Sequence, residues 1–231
     1  MDTYIYLLLA FFLSIFWIII YYYKVDLRKK MIKTGIIGGF LGFIAEYWYL
    51  KDYWRPPTIL GNAVISVEDF LVGFFLFGIS ISIYNFVFKK QDSKDKSDKS
   101  RKTHFFVFFI IGILAMIILP SYGYNSMFVS PALFLLFTII IVIIRKDLFY
   151  KALYSGILLL TIVAPIYILL FVIISPNYWQ NYWLLSNTKY DITLFGKIPC
   201  IEIIWYFSWG SFCGVCYSFY SGTKPISYKA L

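Results

Sequence analysis

Residues 4–30 read YIYLLLAFFLSIFWIIIYYYKVDLRKK, an apolar run that ends in a basic segment. About 20 apolar residues in a helix are needed to cross the hydrocarbon core of a bilayer. The basic residues follow the run and do not precede it, which is not the order found in a cleavable signal peptide. This stretch therefore predicts a membrane anchor whose N-terminus lies outside the cell.

The rest of the chain has the same apolar character. Of its 231 residues 61% are apolar and 14% are charged, and the mean hydropathy is +0.75. Soluble domains carry about 25% charged residues, and a soluble globule of this size could not bury so much apolar surface. The composition predicts an integral membrane protein. The net charge of +9 indicates contact with the membrane surface and not with nucleic acid, because the basic residues lie in short loops.

Seven apolar runs have the length of a membrane span. They cover residues 4–23, 34–50, 67–88, 103–119, 127–144, 150–174 and 201–222. The segments after the first, third, fifth and seventh runs hold 17 of the 21 Lys and Arg residues. Because cytoplasmic loops carry an excess of Lys and Arg, we expect an all-α bundle of seven transmembrane helices. It would be a multi-pass protein of the cell membrane, with the N-terminus outside and the C-terminus in the cytoplasm.

The third and fourth runs are joined by a polar segment. Residues 89–102 read KKQDSKDKSDKSRK, a low-complexity sequence without apolar residues. Such a composition cannot form a packed core and is typical of a disordered tether. We therefore expect a charged cytoplasmic loop here, followed by a connector helix, in a middle region that covers residues 89–126.

The regions on either side of this connector share an ordered set of landmarks. Each has a Tyr-Trp pair, a Thr-x-x-Gly element, an acid at a helix start and an aromatic helix. The landmarks are Tyr53-Trp54, Thr58-x-x-Gly61 and Glu68-Asp69 in the first region, and Tyr182-Trp183, Thr193-x-x-Gly196 and Glu202 in the second. They predict two parallel three-helix repeats, residues 1–88 and 127–231, with a site at their interface.

Four acids at the outer side of the predicted bundle are the candidate catalytic residues. Glu46 lies inside the second span, where an ionisable group costs a few kcal/mol unless it is paired, protonated or hydrated. Glu68 and Asp69 follow Ser66, and Glu202 follows Pro199, so these three acids also suit the first turn of a helix. Both proton transfer and helix capping fit the positions of Glu68, Asp69 and Glu202.

Aromatic residues near these acids are candidates for binding a cationic intermediate, because ring faces stabilise cations. The alternative is an interfacial belt of Trp and Tyr. The candidates are Trp48, Trp205, Trp209, Tyr84 and Tyr217. No phosphate loop, dinucleotide fingerprint or metal-binding motif accompanies them, so we expect neither a cofactor nor a metal.

With these features the chain resembles the membrane lycopene cyclases of the heterodimeric and fused archaeal/fungal type. The resemblance lies in the seven spans, the duplication, and the acidic helix starts Ser66-Val67-Glu68-Asp69 and Pro199-Cys200-Ile201-Glu202. The family motif has Pro where Ser66 stands and an acid where Ile201 stands. The resemblance implies acid-initiated, non-redox ring closure at the ends of a linear carotenoid, with Glu68, Asp69 and Glu202 as the acid and base residues. Glu46 is added because of its position inside a span.

Two other functions fit the same residues. A non-catalytic membrane protein could bind or move a lipid or isoprenoid in the same cavity. A structural partner of another membrane protein would need no cavity, and its acids would serve only as caps or contacts. For the cyclase and for the lipid-binding protein, the expected partner molecule is a lipid or isoprenoid within the bilayer.

Overall fold

The chain is a helical bundle. The structure, a computed structural model, describes residues 2–62, 64–94 and 101–227, and 76% of it is helical. Within these residues the α-helices are α1 (Ile5–Tyr23), α2 (Arg28–Asp52), α3 (Val67–Val87), α4 (Lys102–Ser121), α5 (Ser126–Ile144), α6 (Phe149–Ile168), α7 (Tyr178–Tyr182) and α8 (Cys200–Ser221). A π-helical turn, Leu169–Ile174, extends α6.

Five segments are long and apolar enough to cross a membrane, judged by length and composition within the described residues. They are Asp2–Tyr23, Val67–Val87, Lys102–Ser121, Ser126–Ile144 and Lys146–Ile174. The prediction of a mostly helical membrane protein is confirmed at this level. The helices α2 and α8 are also long, 25 and 22 residues, but α2 carries charged residues at both ends and Ser, Gly and aromatic residues interrupt α8.

The largest difference from the predicted spans is the start of α2. This helix begins at Arg28, six residues before the expected start at Thr34. The intervening basic residues read as a loop by hydropathy, but Lys and Arg are good helix formers. Lys30 is also buried, because its ammonium group pairs with Asp92 at 2.5 Å. Pairing of the Lys30 charge therefore allows α2 to begin before the point at which hydropathy predicts its start.

The expectation of a disordered tether is wrong for residues 90–94. Lys90–Lys94 form strand β3, which pairs antiparallel with the last described strand, β6 (Thr223–Ser227). Asp92 at the centre of β3 bonds both Lys30 and Lys151, at 2.5 and 3.0 Å. These long-range bonds order a segment that has no apolar residue. The remainder of the predicted tether, residues 95–100, lies outside the described residues.

Short hairpins lie at the other end of the bundle. Strands β1 (Pro57–Thr58) and β2 (Gly61–Asn62) precede α3, and β4 (Thr193–Leu194) and β5 (Ile198–Pro199) precede α8. The two Thr-x-x-Gly elements lie at these turns, where Gly61 and Gly196 adopt positive φ of 125° and 64°. Glycine suits these positions because it reaches positive φ without strain. Trp54 and Trp183, which follow α2 and α7, are joined by a backbone bridge.

Small residues bring helix pairs into backbone contact. A Cβ atom built on Gly38 of α2 would lie 2.5 Å from the Gly73 carbonyl oxygen of α3 and 2.6 Å from Phe77 Cβ. On the other side of the bundle, a Cβ on Gly210 of α8 would lie 3.0 Å from Gly156 Cα of α6. Close approach of this kind is a common way for helices to associate in membranes, where no hydrophobic force drives them together.

Substitution of Gly38 tests this contact. We expect Gly38→Ala to lower the free energy of unfolding by ~1–3 kcal/mol, because the added methyl group meets rigid backbone of α3. The measurement is the unfolding midpoint of the purified protein in detergent. Gly112→Ala on α4 is the control, because its Cβ would make only an ordinary contact, 3.6 Å from Phe137. Equal midpoints for the two variants would contradict the tight α2–α3 contact.

Candidate acid cluster

Glu46 faces the interior of the bundle. It lies on α2, is buried, and accepts a hydrogen bond from Trp54 Nε1 at 3.0 Å. Its carboxyl group interacts electrostatically with Asp69 on α3 and Glu202 on α8. Three helices therefore bring acids together at the hairpin end of the bundle, as the sequence analysis expected for these residues. We refer to Glu46, Glu68, Asp69 and Glu202 as the acid cluster.

Glu202 has the most complete set of hydrogen bonds in the acid cluster. Tyr53 donates to its Oε1 at 2.6 Å, and Tyr167 of α6 donates to its Oε2 at 2.8 Å. The hydroxyl groups of Tyr167 and Tyr206 are also 2.8 Å apart. All of these side chains are buried. Glu202 is thus held at both oxygens by hydroxyl groups from different parts of the chain.

Asp69 and Glu68 lie in the first turn of α3 and differ in their bonds. Asp69 forms a capping box with Ser66, whose backbone N–H donates to Asp69 Oδ2 at 2.6 Å. The capping interpretation is therefore confirmed for Asp69. Glu68 is fully buried, and its Oε1 accepts a bond from the Ile59 backbone N–H at 2.9 Å. Its Oε2 makes no hydrogen bond to any described residue.

Aromatic rings pack around the acid cluster. Trp54 stacks on Trp179 with ring centroids 5.5 Å apart, and Tyr6 meets Trp54 edge-on at 5.0 Å. Trp205 stacks on Trp209 at 5.4 Å. The indole N–H of Trp205 donates to the Tyr49 hydroxyl at 2.9 Å. Trp205 and Trp209, which the sequence analysis named, thus belong to the packed aromatic layer on α8.

Three of the predicted substrate-binding residues lie elsewhere. Tyr84 and Tyr217 are near the opposite ends of α3 and α8, so they do not join the acids. The reason is helix length, since each is 15 positions from Asp69 or Glu202, or roughly 22 Å along the axis. The Tyr217 ring instead lies 4.4 Å from Lys30 Nζ. Trp48 lines a separate groove between α2 and α4.

That groove has a volume of about 820 Å³. Its wall is mostly apolar and includes two charged residues, Lys51 and Asp52. The lining residues are Phe43, Ile44, Tyr47, Trp48, Lys51, Asp52, Ile117, Pro120 and Ser121. Glu46 is on the same helix but does not line the groove. The groove has the size of a small-molecule pocket and is a second candidate site.

Several residues around the acid cluster were not predicted as site residues from the sequence, although Tyr53 was named as a landmark of the first repeat. They are Tyr6, Tyr49, Tyr53, Tyr167, Trp179 and Tyr206. One signal was present, because Tyr167 is a hydroxyl-bearing residue within the aliphatic run of α6 and needs a partner when buried. The partners of the other residues are far away in sequence and could not be assigned from local patterns.

The chemistry open to this site is proton transfer and stabilisation of a cation. No Lys or Arg donates a hydrogen bond to Glu46, Glu68, Asp69 or Glu202 among the described residues. Among all the residues that the structure describes, no group of three or more His, Cys, Asp or Glu side chains could hold a metal ion. Comparison with known proteins finds no matching family, no matching curated protein and no matching solved structure.

Proposed function

We propose that this chain is a multi-pass membrane enzyme that cyclises the end groups of a linear carotenoid or a related isoprenoid. The observation that carries the proposal is the meeting of Glu46, Asp69 and Glu202 from three helices within an aromatic layer. Acids placed there can exchange protons with an apolar molecule that dissolves in the bilayer. The reaction is an isomerisation, with no net redox change and no cofactor.

The proposed topology adds α2 and α8 to the five apolar segments, which gives seven spans in two repeats. Lys30 and Lys151 support the duplication, because each is the third residue of its helix and follows an Asp-Leu turn. A second support comes from Gly35 and Gly156, which pack against Phe74 and Phe207, as an alignment of Asp69 with Glu202 requires. The excess of basic residues at the Lys30 end supports a cytoplasmic position for that end.

The proposed reaction begins with proton transfer from Glu46 to a terminal alkene of the substrate. One C–H bond forms, and the neighbouring alkene then attacks the resulting cation to close the ring. Trp54, Trp179 and Trp205 stabilise the cation through their ring faces, by ~2 kcal/mol or more each when water is excluded. Glu202 then removes a proton next to the ring cation, and that electron pair forms the ring double bond.

The hydrogen bonds of the two acids support this division of roles. Glu202 receives two hydroxyl donors, one at each oxygen, an arrangement that favours a carboxylate ready to accept a proton. Glu46 receives a single indole N–H and faces two other acids. Asp69 serves the α3 cap and contributes its charge to the cluster. Glu68, in the first turn of α3, keeps one oxygen without a hydrogen bond to a described residue.

The test is carotenoid analysis of a lycopene-producing bacterial host that expresses the chain. We expect a product of the same mass as lycopene, with altered retention and absorption shifted to the blue, because a ring twists its double bond out of conjugation. The matched control is the Glu46→Gln/Glu202→Gln double variant, which should express equally and form no such product. Unchanged lycopene beside well-expressed wild-type protein would refute the proposal.

A lipid-binding or lipid-moving protein is the second candidate, and the groove between α2 and α4 favours it. The groove is open, is mostly apolar, and lies beside Lys51 and Asp52, which suits a lipid tail with a polar head. This function predicts lipid that co-purifies with the protein and is released by Trp48→Ala, while Glu202→Gln retains it. Solvent extraction followed by mass spectrometry of the purified variants separates it from the cyclase.

A further inference from the structure

Near α7, several buried polar atoms of the described residues lack a hydrogen-bond partner. Besides the indole nitrogens of Trp179 and Trp183, they include one oxygen of Glu68 and the hydroxyl of Tyr178. Glu68 Oε2 and the Tyr178 hydroxyl are buried, and neither makes a hydrogen bond to a described residue. Glu68 is the second residue of α3 and Tyr178 is the first residue of α7, so they come from different repeats of the proposed architecture. Buried polar groups in folded proteins almost always have a partner, and leaving two without one calls for a ligand that can donate and accept.

Tyr178 lies near charged and polar groups from several parts of the chain. Its hydroxyl interacts electrostatically with Tyr182 on its own helix, Asp2 at the N-terminal turn, Glu46 on α2 and Glu68 on α3. Asp2 is half-buried and accepts bonds from Ser175 at 2.7 Å and Tyr182 at 3.3 Å. Tyr178 and Tyr182 have ring centroids 5.1 Å apart. Tyr178 thus lies within electrostatic range of the half-buried Asp2 and of the acids Glu46 and Glu68.

Tyr178 is suited to relay a proton without ionising. Burial, followed by the charges of Tyr182, Asp2, Glu46 and Glu68, raises the pKa of Tyr178 well above its ordinary value. A phenol that keeps its proton accepts one on its oxygen from one side and releases its own on the other. Its hydroxyl makes no hydrogen bond to a described residue, whereas Tyr53 and Tyr167 are both bonded to Glu202.

We propose that Glu68 and Tyr178 form a water-binding proton inlet, which carries protons from the outer face at Asp2 to Glu46. The inference rests on the proposed cyclase function, in which Glu46 loses a proton and Glu202 gains one in every turnover. The inlet returns a proton to Glu46, and the proton taken up by Glu202 leaves to water, so the cycle is balanced without any co-reactant. The ligand of the site is water or hydronium.

The inlet makes a kinetic prediction that a merely structural role does not. In membranes supplied with lycopene, Tyr178→Phe and Glu68→Gln should form about one ring per protein at the wild-type rate and then slow tenfold or more. The first turnover uses the proton already on Glu46, whereas later turnovers wait for reprotonation. A small diffusible acid such as formic acid should restore the later turnovers. Tyr154→Phe on α6, which has no contact with the acid cluster, is the control.

A uniform loss of the first and later turnovers, or failure of formic acid to restore the rate, would overturn the inlet. A wild-type protein without cyclised product would refute the proposed function, and a second measurement then decides on the inlet alone. In proteoliposomes, an external pH jump should change the fluorescence of Trp54, the indole bonded to Glu46, and Trp54→Phe identifies that signal. The change should be at least tenfold slower in Tyr178→Phe, and equal rates would contradict the inlet.

Discussion

Replacement of Asp92 by Asn is expected to be among the most destabilising single substitutions in this chain. Asp92 is the carboxylate shared by Lys30 of α2 and Lys151 of α6, both buried. Asn would leave two buried ammonium groups without a counter-charge. Removal of one partner from a buried ion pair costs about 3–5 kcal/mol. We expect the unfolding midpoint in detergent to fall by more than about 5 °C.

Three variants make this prediction specific. Asp26→Asn makes the same chemical change at an exposed turn, and its effect should stay within about 0.5 kcal/mol. Lys30→Met added to Asp92→Asn should recover part of the loss, because it removes one of the two unpaired charges. Asp92→Glu keeps the charge and should fall between wild type and Asp92→Asn. If Asp92→Asn unfolded at the wild-type midpoint, the ion pairs of Asp92 with Lys30 and Lys151 would not stabilise the bundle as proposed.

The same two lysines also lower the pKa of Asp92. Burial alone would raise the pKa of this carboxyl, but the charges of Lys30 and Lys151 lower it more, and the pKa lies well below its ordinary value of 3.8. A carboxyl with a lowered folded pKa contributes stability above its unfolded pKa and loses that contribution as the pH falls. The ion cluster therefore stays intact at neutral pH and through mild acidification.

The second large effect is expected at Glu202. Glu202→Gln keeps the size of the side chain, and its single amide oxygen can still accept a bond from Tyr53 or from Tyr167. An amide cannot, however, take the proton from the ring cation. Turnover should fall at least 100-fold, in the range of general acid–base catalysis. The measurement is the initial rate of ring formation in isolated membranes, with protein levels matched by immunoblot.

Tyr167→Phe tests the hydrogen bond to Glu202 without changing the carboxylate itself. It removes one of the two hydroxyl donors to Glu202 and the link to Tyr206. We expect kcat to fall about tenfold with KM little changed, since Tyr167 positions the base and does not hold the substrate. Tyr154→Phe on the same helix should keep both values. A change confined to KM would assign Tyr167 to substrate binding.

The common end of the bundle at which the four acids lie could be predicted from the sequence, because apolar length and charge order decide which helix ends meet. The role of these acids in catalysis stays a prediction. The Thr-x-x-Gly elements likewise mark the turns at Gly61 and Gly196, where local chemistry decides the backbone. Strand β3 could not be predicted, because its order comes from Lys30 and Lys151, which lie 62 and 59 positions away from Asp92.

The hydrogen bonds of the site were hidden for the same reason. Tyr53 and Glu202 are 149 positions apart, and Tyr49 and Trp205 are 156 apart. Composition also misled the prediction at Tyr84 and Tyr217, because an aromatic helix offers rings along its whole length and only its first turns reach the acids. Helix geometry, at 1.5 Å per residue, separates the two groups.

The origin of the added proton tests the central claim most directly. Isolated membranes that contain the wild-type protein are supplied with unlabelled lycopene in D₂O, and the product is analysed by mass spectrometry. If Glu46 donates a solvent-exchangeable proton to the alkene, each new ring carries one deuterium from the solvent. A cyclised product without solvent deuterium, or lycopene recovered unchanged beside folded protein, would contradict acid-initiated cyclisation by this chain.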